Sequence, residues 1–227
     1  MPQLMTAKKT DAEIQQDVLR ELKWDTRVAE TEVGVQVDKG VVTLTGTVTS
    51  WGKRYAAAEG AHRVRGVLDV ANDITVNVPG TSGRTDTEIA KAVRHALEWG
   101  DFVPEARIKS TVSNGAVTLE GDVDTWAQCE DAERATRYLL GVRAVANLIK
   151  VKAPKVDSAK LRKSIEDALE RRADREASGI WFEVHDGSVK VNGTVHNWAE
   201  RGVVIGAVKG TPGVRAVEDG LRIGPSF

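Results

Sequence analysis

The feature that most constrains this chain is that it says the same thing three times. The runs Gly40-Val-Val-Thr-Leu-Thr-Gly46, Gly115-Ala-Val-Thr-Leu-Glu-Gly121 and Gly187-Ser-Val-Lys-Val-Asn-Gly193 share one pattern. A tryptophan follows the second glycine of each by five positions: Trp51, Trp126 and Trp198. A further glycine follows by twenty, at Gly66, Gly141 and Gly213, each with a valine after it. The copies are offset by 75 (115 − 40) and 72 (187 − 115) residues. A period of this length means one supersecondary unit used repeatedly, so the fold question concerns about 70 residues and not the whole chain.

The matched landmarks divide the chain into modules at 11–78, 86–152 and 157–224. Residues 1–10 form a tail with no hydrophobic period, expected to be disordered. The 79–85 linker, Pro-Gly-Thr-Ser-Gly-Arg-Thr, is flexible in composition, whereas 153–156 is short and stiffer. Linker composition alone therefore predicts a better-defined orientation between the second and third modules than between the first and second.

Each module opens with a helix. Ile14/Val18/Leu22, Ile89/Val93/Leu97 and Leu161/Ile165/Leu169 recur at i, i+4, i+8, with Asp11, Asp86 and Ser158 as expected caps. Two alternating strands follow, joined at Asp38-Lys-Gly40, Ser113-Asn-Gly115 and His185-Asp-Gly187, where glycine supplies positive φ for a hairpin. A second helix starts at Ser50, Thr125 and Asn197 and carries small residues on its inner face. Gly66, Gly141 and Gly213 are expected to end it. A third strand closes the module and should pair in parallel with the second. The predicted fold is α+β: three tandem αββαβ modules, each a small mixed three-stranded sheet with two helices on one face. A module this small buries only about 60% of its unfolded surface, so neighbours are expected to contribute stability.

The pattern Gly-x-Val-x-Leu-x-Gly, an Ala-rich helix, then Gly-Val-x-x-Val-x-Asn resembles the BON domain of bacterial osmotic-shock and nodulation proteins. The first two copies carry it through Val70-Ala-Asn72 and Val145-Ala-Asn147. The third departs, with Asp219 in the asparagine position and Pro212 before the glycine. The resemblance implies binding, with phospholipid membrane surfaces, envelope maintenance and osmotic stress as the associated themes.

The residues point away from catalysis. Matched positions are apolar residues, glycines and caps, whereas an active site needs unlike groups converging on one point. His62, His95, His185 and His196 occupy different repeat positions without metal-ligand spacing, so neither a metal nor a cofactor is expected. Cys129 is the single cysteine, which excludes an intrachain disulfide, and a net charge of −1 provides no field for nucleic acid. No apolar run is long enough to span a membrane, and the N-terminus does not read as a signal peptide, so the expected location is cytoplasmic.

Binding is expected at off-stripe aromatics. Trp24 and Trp99 stand at the end of the first helix, where the third copy has Arg171; Trp181 stands on the polar side of its strand. Such rings suit a membrane–water interface or a subunit contact. Trp51, Trp126 and Trp198 are expected to lie over the helix–sheet seam of their own module. Two functions follow: a non-enzymatic, stress-associated protein binding phospholipid surfaces, or a scaffold for a protein partner or homo-oligomer.

Overall fold

A computed structural model describes residues 9–78, 84–172 and 179–224 of the chain. Most of the expected tail, most of the 79–85 linker and the charged stretch at 173–176, together with the Arg171 side chain, lie outside the described residues.

The first module runs α1 (Asp11–Trp24), β1 (Val33–Asp38), β2 (Val41–Val48), α2 (Trp51–Arg63), β3 (Asp69–Asn72) and β4 (Thr75–Val76). The second runs α3 (Asp86–Glu98), β5 (Ile108–Ser113), β6 (Ala116–Val123), α4 (Trp126–Arg137) and β7 (Ala144–Val151). The third runs α5 (Ser158–Arg172), β8 (Trp181–His185), β9 (Ser188–Val195), α6 (Trp198–Lys209) and β10 (Ala216–Ile223). The three sheets are mixed as expected: β2, β6 and β9 are central, antiparallel to the preceding strand and parallel to the following one. In the first module the third strand breaks into β3 and β4, both paired with β2, giving four strands.

Each core lies between the helices and one sheet face. Ile14, Val18 and Leu22 of α1 are buried against Val42, Leu44 and Val48 of β2, and the same positions recur in the second module. The alternate residues of the strands face out, which is why the central strand alternates threonine or charge with valine and leucine.

Two backbone details explain the repeated glycines. The hairpin turns hold Lys39/Gly40, Asn114/Gly115 and Asp186/Gly187 all at positive φ, the mirror-image turn whose twist matches the strands. The glycine ending each signature run approaches the entry to the preceding strand: a Cβ on Gly46 would lie 2.2 Å from the Glu32 carbonyl oxygen, and one on Gly121 2.1 Å from that of Arg107.

Three local expectations are corrected. The first helices are capped by Thr10 and Thr85, each in a reciprocal box with Glu13 or Glu88, and by Asp157 in the third module. Asp11 and Asp86 instead reach the hairpin, where each carboxylate accepts from two turn amides, Lys39 and Gly40 or Asn114 and Gly115, at 2.7–2.9 Å. The second helices stop at Arg63, Arg137 and Lys209, and the glycines come three or four residues later with φ of 96–99°.

The departure in the third module also has a reason. Asn72 and Asn147 tie the third strand to the second helix by donating to the carbonyls of Arg54 and Cys129. Asp219 cannot donate, and its carboxylate accepts from the Arg201 guanidinium at 2.9 Å instead.

The repeated tryptophans reach out of their modules, against expectation. Trp51 packs on the core of the second module, Trp126 on the third as well as its own, and Trp198 on the first. Each second helix thus begins with an indole packed on the core of the next module. The three contacts use equivalent positions and run first to second, second to third and third to first. A head-to-tail contact that returns to its starting point is a closed ring, here made by one chain.

Candidate docking surface

The three seams share a plan and differ in detail. At the first, the backbone amide of Trp51 donates to the Val142 carbonyl at 3.4 Å, and the Arg137 guanidinium lies 3.7 Å above the Tyr55 ring. The Tyr138 ring presses against Gly52, where a Cβ would meet it at 2.4 Å. At the second, the Lys209 ammonium lies 4.8 Å from the Trp126 ring centre and donates to Glu130 at 3.1 Å. At the third, Trp198 stacks on His62 with centroids 4.0 Å apart, and its indole Nε1 donates to the Leu68 carbonyl at 3.2 Å. Arg201 covers Trp198 from its own helix, at 4.4 Å. These seams place the modules by side-chain packing, which linker composition could not reveal.

The seams consume one set of aromatics and leave another in solvent. Trp24 is 79% exposed and Trp99 77%, at equivalent ends of α1 and α3. Each sits at the last residue of its helix or just past it, off the buried stripe, and stays largely in solvent. Trp99 leans on His95, ring centres 5.2 Å apart, and Phe102 three residues on is also exposed. Around Trp24 the charges are paired: Asp17 with Lys9 and Arg20, and Asp25 with Arg27 and Arg63. The Arg27 guanidinium and amide, helped by Arg63, hold the Asp25 carboxyl well below the usual carboxylate range. Trp181 is half exposed on the outer face of β8, opposite Asn192, and Leu148 is exposed on the outer face of β7.

The structure thus brings Trp51, Trp126 and Trp198 into seams and leaves Trp24, Trp99 and Trp181 outside them. The repeat does not single out Phe102, which stands in a loop at the position of Arg27, nor the Tyr55/Glu130/Gly202 and His62/Arg137/Lys209 positions, whose residues differ between copies. Their difference was the available signal, since a position that varies while facing its counterpart in the next copy belongs to a contact.

Other chemistry is sparse. Cys129 is buried, and burial pushes its thiol up, away from the reactive thiolate. Among the described residues no group of three His, Cys, Asp or Glu side chains could hold a metal ion, and no helix is long and apolar enough to cross a membrane.

Comparison with known proteins agrees with the repeat. A family profile described as BON domain matches residues 10–78, 85–153 and 157–225. Osmotically-inducible protein Y of Escherichia coli (strain K12) is 33% identical over 131 residues, 55% of this chain and 64% of that protein, just under two thirds of the relative's length. Among solved structures, CdsD, a structural protein of the type III secretion system of Chlamydia trachomatis, aligns over 93% of this chain and 92% of its own at 14% identity and a TM-score of 0.27. The PrgH periplasmic domain aligns over 85% of this chain and 95% of its own at 11% and 0.22. Three profile matches spanning nearly the whole chain, on three modules of one αββαβ topology, place this protein in the BON domain family.

Proposed function

We propose that this chain is a non-enzymatic, osmotic-stress-associated protein that docks on phospholipid membrane surfaces through Trp24 and Trp99. The observation that carries the reading is the pair itself: two indoles at equivalent positions, both more than three quarters exposed. An indole at a helix end suits the headgroup layer, where its apolar body and polar N–H are both accommodated. Phe102 adds apolar area beside Trp99. The charges around Trp24 are paired within its module, and Glu98, Asp101 and Glu105 stand beside Trp99, so the attachment relies on aromatic burial and not on attraction to anionic headgroups. The osmotic-stress association follows the relative, osmotically-inducible protein Y.

Co-sedimentation with vesicles of mixed anionic and zwitterionic phospholipid tests the reading. Wild-type protein should sediment with a blue-shifted tryptophan emission, and a Trp24→Ser/Trp99→Ser variant should stay in the supernatant. Equal sedimentation of the two proteins, or none by wild type, ends the proposal.

A second reading, a scaffold for a protein partner or a second copy, is favoured by Trp181 and Leu148 on the outer sheet faces. Light scattering on a size-exclusion column decides it: a discrete oligomer that breaks down in Trp181→Ser supports a scaffold.

A further inference from the structure

The three seams differ in one respect that chemistry makes consequential. At the end of the second helix the residue facing the preceding module is Arg137 in the second module, Lys209 in the third and His62 in the first. In the first two seams the residue that meets it, one turn into the neighbouring helix, is Tyr55 or Glu130, and the equivalent repeat position in the third is Gly202. Two seams therefore pair a permanent cation with a group that accommodates it. Arg137 lies over the Tyr55 ring, and Lys209 bonds Glu130.

The third seam has no such partner. A Cβ built on Gly202 meets nothing within 4 Å, so the position equivalent to Tyr55 and Glu130 is open in the third seam. His62 touches the Trp198 ring, whose indole is already covered by the Arg201 guanidinium. The charged groups around the imidazole are Glu59 on its own helix, Asp69 at the start of β3 and Arg201 on α6. Burial pushes the imidazole down, Arg201 adds to this, and Asp69 and Glu59 oppose it without reversing it. The third seam also joins modules that are not adjacent in sequence, so no linker connects them directly.

We propose that the contact between the third and first modules is a proton-operated latch, closed while His62 is neutral and released when it is protonated, because Gly202 offers a cation nothing where the other seams offer Tyr55 or Glu130. A group that is harder to protonate in the closed form than in the open one stabilises the closed form fully above its ordinary value of about 6.5 and progressively less as the pH falls through its lowered one. The first and second seams carry no histidine and keep their contacts over the same range. Release exposes Trp198 and the Leu68 carbonyl region while the three modules stay folded.

The latch is tested on the full chain by distance measurement between spin labels at Gln36→Cys and Glu183→Cys, in a Cys129→Ala background, from pH 8 to pH 5. The expected result is one distance at pH 8 and a growing longer component toward pH 5. His62→Gln should abolish that pH dependence, and Gly202→Glu, which restores the missing partner, should move the transition to lower pH or suppress it. A wild-type distance that does not change with pH overturns the proposal, as does the same transition in His62→Gln. Loss of far-UV circular dichroism before the distance moves overturns it too, since the modules would then be unfolding and not separating.

Discussion

The guanidinium of Arg137 lies over the ring of Tyr55, 3.7 Å from its centre, across the boundary between the first and second modules. Arg137 is also held from within its own helix by Glu133 at 2.7 Å, so it is positioned before the tyrosine meets it. Tyr55→Ala and Arg137→Ala should each destabilise the chain, and their double-mutant cycle should show a coupling of about 0.5–2 kcal/mol, the range for a partly desolvated cation over an aromatic face. Urea denaturation of the four proteins measures it.

Glycines in this chain have opposite roles at different places, and alanine separates them. Gly46 has φ of 121° and a carbonyl oxygen where its Cβ would go, so Gly46→Ala should cost more than about 2 kcal/mol or prevent the first module from folding. Gly202 and Gly206 lie inside α6 with open space around them. Gly202→Ala and Gly206→Ala should each raise stability by about 0.4–1 kcal/mol, read as an increase in Tm.

Asp11 and Asp86 staple the first helix to the hairpin. Each carboxylate accepts from two turn amides. Asp11→Ala should cost about 1–3 kcal/mol, with hydrogen exchange at the Lys39 and Gly40 amides accelerated more than at the core strands. Uniform acceleration across the module would show that the staple is not local.

Asp25 gives the chain an acid-sensitive joint. Arg27 first, then Arg63, hold its carboxyl far below its ordinary value; the Arg27 pair is local to the end of α1, and the Arg63 pair connects that end to α2. A lowered value in the folded state means the carboxylate stabilises the fold above about pH 4, the unfolded value, and that this stability is lost as the pH falls toward the folded one. Asp25→Asn should therefore be less stable than wild type at pH 7, with the gap closing below pH 4. Thermal melts across pH 2–7 measure the difference.

Much of this protein was legible in its letters. The spacing of Ile14, Val18 and Leu22, the alternation of Val42 and Leu44 with threonines, and the Lys39-Gly40 turn depend on periods and backbone preferences that act within a few residues, and the structure follows them in each module. Where local rules allowed two answers, the tertiary structure chose. Thr10 outcompeted Asp11 as the cap because the hairpin amides, 28 and 29 residues away in sequence, came to lie beside the Asp11 carboxylate. The destination of the tryptophans was beyond any local rule. Trp51, Trp126 and Trp198 have the same sequence setting as a residue covering its own module, and only the closing of three seams turns them onto the next. The module was determined by the sequence because its forces are short-ranged along the chain. The ring was decided in three dimensions, because a contact such as Trp198 on His62 joins residues more than a hundred positions apart and depends on where every module between them has come to lie.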